Sequence, residues 1–218
     1  MNDAPPPTVA EVDPSLFEPN DGRTNGNPPG IGFWALVAED FCANGRDWGS
    51  QGFWALFWHR FGNWRRGVRP RPLRMPLTGL YRAMFKACQI FGGIMLPYTV
   101  RVGRRVQVDH FGGMVLVAQA IGDDVIVRQN TTFGIAGLDA LEGRPVIGNR
   151  VEIGAGAVIV GRLHVGDDAI IGANAVVTKA VPPGAVVGGV PARLIRMRNP
   201  EEILAARAVR PGTTAKGV

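Results

Sequence analysis

The stretch "VIGNRVEIGAGAVIVGRLHVGDDAIIGANAVV", residues 146–177, repeats every six residues. Ile147, Ile153, Ile159, Val165, Ile171 and Val177 are evenly spaced, and four residues after each stand Val151, Ala157, Leu163, Ala169, Ala175 and Val181. Glycine follows the first aliphatic at Gly148, Gly154, Gly166 and Gly172. A helix repeats about every 3.6 residues and a flat strand about every two, so neither explains six. A solenoid does: each hexad forms one face of a triangular coil, with large aliphatics on the axis and a small residue at each corner.

The register extends upstream. Val102, Val108 and Met114 are six apart, and after a one-residue slip so are Ile121, Val127 and Phe133, with Val106, Ala118 and Val125 at corner or wall positions. It breaks at "GIAGLDALEGRP", residues 134–145, a Gly-rich excursion from a rigid scaffold, where function tends to sit. "VPPGAVVGGVPARLI", residues 181–195, ends the repeat: prolines stop strand pairing, and a final strand would cover the open edge. Asn199-Pro200-Glu201-Glu202 reads as N-cap, first position and acidic first turn of a short helix.

Before the repeat the chain changes character. Residues 1–29 hold seven of the 17 prolines and few aliphatics, and read as a disordered arm. Residues 30–93 read as a helical cap. In "GFWALFWHRFGNW", residues 52–64, Phe53, Phe57 and Phe61 share a face, and Trp54 and Trp58 flank it. "LTGLYRAMFKACQIF", residues 77–91, continues with Leu80, Met84, Cys88 and Phe91, and the prolines of "GVRPRP" separate the two. The expected organisation is therefore arm 1–29, cap 30–93, solenoid 94–197, and a short helix with tail, 198–218.

The 218 residues are 46% apolar, enough for a core, and no segment has the roughly 18–20 uncharged apolar residues of a membrane helix. The N-terminus lacks the pattern of a secretory signal, and Cys42 and Cys88 form neither a CxxC pair nor a disulfide framework. The expectation is a cytoplasmic protein with idle thiols and no metal site. The net charge of +6 is concentrated in "RFGNWRRGVRPRPLR", residues 60–74, which suits phosphates, an acidic polymer or a membrane surface. With no base-stacking platform beside it, a nucleic-acid partner is not expected.

In "VQVDHFGGMVLV", residues 106–117, Asp109 and His110 interrupt an otherwise apolar coil. This segment, "NTTFG" at residues 130–134, the hexads, and the "GVPAR" of residues 189–193 together resemble the hexapeptide-repeat acyltransferases, specifically the serine O-acetyltransferase branch and its relatives from polysaccharide gene clusters. The resemblance covers residues 31–197. It implies a mainly β fold, a left-handed parallel β-helix with a small N-terminal α-helical cap, and transfer of acetyl from acetyl-CoA to a hydroxyl, without a metal.

The resemblance makes His110 the general base and puts Asp109 beside the substrate amine. It matches Asp40, in "VAEDF", to a cap residue that also contacts serine, and Arg144, before Pro145, to a reader of the substrate carboxylate. Gly134, Ile135, Ala155, Ala173, Lys179 and Arg193 would line coenzyme A, in a site shared between the protomers of a trimer, with a dimer of trimers open. Two positions depart from the pattern: Met95 stands where an aspartate orients the histidine, and Gly143-Arg144 replaces an Arg-His pair. The leading expectation is therefore a serine O-acetyltransferase serving cysteine synthesis. The alternatives are an O-acetyltransferase for a sugar hydroxyl of an exopolysaccharide, working beside an anionic membrane, and a non-catalytic scaffold. His59 and His164 are expected to be structural.

Overall fold

The structure is a computed structural model that describes residues 17–18, 20–137 and 143–209. Three helices come first: α1 (Phe33–Ala43), α2 (Gln51–Trp64) and α3 (Arg71–Phe91), with a 3-10 turn at Arg65–Gly67. Ser50 caps α2 by accepting from the Phe53 amide at 3.2 Å.

The helix α3 starts six residues earlier than the sequence predicts. Pro72 falls in its first turn, where an amide hydrogen would have no helical partner, and Pro76 is accommodated inside it at the loss of one backbone hydrogen bond. The packing face of α2 also differs from expectation. Gly52, Phe53, Ala55, Leu56, His59, Arg60 and Asn63 are buried, whereas Trp54, Phe57, Trp58 and Phe61 are only partly covered. Small and polar residues allow α2 close to the strands; the aromatic residues instead pack in edge-to-face contacts, such as Phe33 with Phe57, between helices.

Fifteen short strands follow among the described residues, in three sheets that form the faces of a parallel β-helix. The first face stacks β1 (Ile94–Met95), β4 (Met114–Leu116), β7 (Thr132–Gly134), β10 (Val158–Val160) and β13 (Val176–Val177). The second stacks β2 (Arg101–Val102), β5 (Ala120–Ile121), β8 (Val146–Ile147) and β11 (His164–Val165). The third stacks β3 (Gln107–Asp109), β6 (Ile126–Arg128), β9 (Glu152–Ile153), β12 (Ile170–Ile171) and β14 (Ala185–Gly188). β15 (Arg193–Met197) pairs antiparallel with β14 and closes that edge, and α4 (Pro200–Val209) follows. Asn199 caps α4 by accepting from the Glu202 amide at 2.7 Å, as its sequence predicts.

Register explains the hexads. Val108, Val127, Ile153, Ile171 and Val187 stack in line on the third face, and Leu116, Phe133, Ile159 and Val177 on the first, all buried. Each fully buried aliphatic side chain contributes about 1.5–3 kcal/mol relative to exposure. The corners turn on left-handed residues: Arg105, Asp124, Arg150 and Asp168 occupy successive positions of one corner, all with φ between 54 and 59°. Their alternating charges pair down the corner, Arg105 with Asp124 and Arg150 with Asp168, each through two hydrogen bonds. No described helix is long and apolar enough to cross a membrane.

The cap is fastened to the strand that ends in Asp109. The Asn44 side chain donates to the Val106 carbonyl at 3.1 Å and accepts from the Val108 amide at 3.0 Å. Gly52 approaches so closely that a β-carbon there would stand 2.2 Å from the Val108 carbonyl oxygen.

Candidate active site

Strand β3 alternates, so Val108 enters the core while Gln107 and Asp109 point outward. The Asp109 carboxylate accepts from Gln107 Nε2 at 2.6 Å, and Arg128 is its register neighbour on β6. Gln107 escaped notice in the sequence, although a position two residues before Asp109 on a strand shares its face.

His110 then turns the corner with φ 64° and an exposed imidazole. Asn130 and Asn174 are left-handed at the same corner lower down, so the coil, rather than strain peculiar to this residue, sets that backbone. The turn itself is unusual in length. Asp109 pairs with Arg128 and Val115 with Thr132, so five residues span this corner where the coil below uses three. The two extra residues carry His110 and Phe111 clear of the wall, and Phe111 is 63% exposed.

Glycines brace this longer turn. Gly112 has φ 151°, and a β-carbon there would meet Asn130 Oδ1 at 2.6 Å. The Met114 amide donates to the carbonyls of Gly93 at 2.8 Å and Gly112 at 2.7 Å. The Gly112 amide makes a long contact of 3.4 Å with the Gly92 carbonyl, and the Gly113 amide makes no hydrogen bond among the described residues. The Gly113 amide, three residues after His110 in the same turn, therefore retains its donor. Met95 lies on β1 in register with Val115 on this same face, and no described residue hydrogen-bonds the His110 ring.

The other histidines stand apart from this corner, His59 on α2 and His164 on β11 of the second face. His59 is fully buried, with Nε2 2.9 Å from the Val100 carbonyl, and burial pushes its pKa down to about 3. Burial also lowers the pKa of His164. Cys42 and Cys88 are free thiols; Cys42 is exposed, and burial pushes Cys88 up to about 11.

Asp40 does not belong to this site. Its side chain is fully buried, and its two oxygens accept from Arg60 at 2.8 and 3.3 Å. Arg60 also donates to the carbonyls of Val102 and Gly103, at 2.7 and 2.6 Å. Burial raises the Asp40 pKa and Arg60 opposes it. The expectation that Asp40 meets substrate is at odds with this placement, because the side chain is closed off from solvent and paired with Arg60.

The remaining expected residues border the first face. Ala155 and Ala173 lie on the His110 corner, where the Asn174 amide donates to the Ala155 carbonyl at 2.8 Å. Exposed Arg193 opens β15 beneath them, opposite Gly188. Gly134 and Ile135 leave β7 at the opposite corner, and exposed Lys179 follows β13 there. Half-buried Arg144 precedes β8 on that second side; residues 138–142 of the excursion lie outside the described residues. One chain thus gathers Asp109, His110, Ala155, Ala173 and Arg193 along one corner, and Gly134, Ile135, Arg144 and Lys179 along the other.

Comparison with known proteins agrees with this architecture. The model of the family described as bacterial transferase hexapeptide (six repeats) matches residues 144–179. A serine acetyltransferase of Mycobacterium tuberculosis is 39% identical over 152 residues, covering 68% of this chain and 62% of that protein. Among solved structures, a soybean serine acetyltransferase complexed with serine matches with TM-score 0.62 and 30% identity, covering 75% of this chain and 69% of that one. A serine acetyltransferase complex with CoA matches with TM-score 0.60 and 28% identity, covering 75% and 70%. The chain spans between half and two thirds of the length of the curated serine acetyltransferases that head these matches.

Proposed function

The chain belongs to the serine acetyltransferase family of hexapeptide-repeat transferases, and we propose that it transfers acetyl from acetyl-CoA to the hydroxyl of L-serine, forming the O-acetyl-L-serine used in cysteine synthesis. The observation that carries this reading is the lengthened corner that presents Asp109 and His110 together.

A serine hydroxyl is a poor nucleophile while it holds its proton. The exposed His110 imidazole takes that proton as the oxygen attacks the thioester carbonyl. The carbonyl oxygen gains charge in the tetrahedral intermediate, and the free amide of Gly113 suits it. Collapse expels the thiolate of coenzyme A, which receives the proton back from His110. The raised thiol pKa of Cys88 and the position of Cys42 on the cap give no support to an acyl-enzyme. Asp109, held by Gln107, offers a carboxylate to the substrate ammonium.

Coenzyme A would run down the first face, past Ala155 and Ala173 toward Arg193 at one corner, and past Gly134, Ile135 and Lys179 at the other. The two corners belong to opposite edges of one face. A trimer, in which the second corner of one protomer faces the His110 corner of the next, would unite them and bring Arg144 to the substrate carboxylate.

The test is thiol release from acetyl-CoA with L-serine against sugars as acceptors. Serine-dependent release supports the proposal. Release with a sugar alone would transfer it to the polysaccharide-type reading, which the burial of Asp40 favours by removing one carboxylate from reach of an amine.

A further inference from the structure

From Trp48 to Val108 the chain contains no Asp or Glu but eleven Arg and Lys residues. Four of these arginines, Arg66, Arg71, Arg74 and Arg82, line one groove of about 420 Å³ on the outer side of α3, together with Thr78 and Met75. None of the four has an ion-pair partner among the described residues, and Arg66 Nε is closed off from solvent without an acceptor. Thr78 of the groove is held in place by its neighbours. Arg65 lies between the rings of Tyr81 and Tyr98, 4.7 Å from each centroid, and donates to Thr78 Oγ1 at 3.1 Å. Thr78 in turn donates to the Arg74 carbonyl at 2.9 Å.

Guanidinium groups repel one another, and each presents a planar fork of donors that matches phosphate oxygens. Four in one concavity without a carboxylate suit a ligand of at least two negative charges, although Arg71 and Arg82 are also exposed to water. We propose that the groove lined by Arg66, Arg71, Arg74 and Arg82 binds a phosphate monoester or diphosphate group. The site lies on the cap helices, away from the His110 corner, and is independent of the acetyl-transfer reading. Exposed Met75, Leu73 and Leu80 beside it suit a phosphate carried on an anionic lipid, and free phosphate compounds share the same chemistry.

The test compares the full chain with R74Q/R82Q and with R23Q/R46Q, which removes equal charge elsewhere. Binding is measured by titration with inorganic pyrophosphate and by co-sedimentation with phosphatidic acid vesicles against phosphatidylcholine vesicles, with melting temperatures confirming that each variant is folded. The proposal expects at least one anionic probe to bind, R74Q/R82Q to weaken it about tenfold or more, and R23Q/R46Q to change it less than about twofold. Binding to pyrophosphate identifies a soluble ligand, and binding to phosphatidic acid alone identifies a lipid headgroup. Equal losses in the two variants would reduce the effect to net charge and overturn the proposal, as would failure of both probes. Should R74Q/R82Q not fold, R71Q against R46Q makes the same comparison at one charge each.

Discussion

Arg60 donates to both carboxylate oxygens of Asp40, at 2.8 and 3.3 Å, with neither side chain exposed to solvent. The pair joins α1 to α2, and its remaining donors reach the carbonyls of Val102 and Gly103. Removing one partner of such a pair leaves a buried charge unmatched, at a cost of about 3–5 kcal/mol. Asp40→Asn should therefore lower the urea midpoint strongly, while the fraction that remains folded keeps its KM for serine. A raised KM with unchanged stability would return Asp40 to the substrate.

Gly52 should not tolerate even a methyl group. A β-carbon would stand 2.2 Å from the Val108 carbonyl oxygen, and a backbone atom cannot swing aside as a side chain does. Gly52→Ala is expected to cost about 1–3 kcal/mol, because α2 must retreat from β3. Since β3 leads directly into Asp109 and His110, turnover should fall with it. Chemical denaturation and initial rates on the same preparation check both effects.

Asp109→Asn tests recognition separately from proton transfer. Loss of the carboxylate removes a charge-assisted hydrogen bond to the substrate ammonium, worth about 1.5–3 kcal/mol. The KM for serine should rise about tenfold to a hundredfold, with the KM for acetyl-CoA unchanged. Equal losses in both would mean that the strand end has moved.

Acid should loosen the junction of α4 with the β-helix. Burial pushes the Asp168 pKa up, but hydrogen bonds from Arg150 and Arg207 outweigh it and bring the group down to about 2, against an ordinary 3.8. A carboxyl depressed in the folded state stabilises it above its unfolded pKa, and that contribution disappears as pH falls from about 4 to about 2. The stability advantage of the parent chain over Arg207→Gln should therefore be present at pH 5 and shrink through this window. Urea unfolding of both proteins at a series of pH values measures it.

The solenoid was legible because its cause is local and periodic. Ile147, Ile153, Ile159 and their successors occupy the axis whatever surrounds the coil, so spacing alone reveals them. Asp109 and His110 stood out as polar residues inside that rhythm. Asp40 was misread for the opposite reason: its partner Arg60 is 20 residues away on another helix, a distance that no periodicity reports. Of the aromatic residues of α2 that share the expected face, Phe53 is buried but Phe57 and Phe61 are only partly covered, because Gly52, Ala55 and Asn63, unremarkable in sequence, are what allow the backbone to approach β3. The length of the His110 turn became visible only when register set Asp109 against Arg128 and Val115 against Thr132.

The most direct test of the account is the serine-dependent rate of thiol release from acetyl-CoA for the parent chain and for His110→Ala, with coenzyme A binding measured on both. The account predicts that the variant binds coenzyme A as the parent does and turns over at least about a hundredfold more slowly, as expected for loss of a general base. A variant that keeps the parent's rate would contradict the assignment of the His110 corner as the place where acetyl transfer occurs.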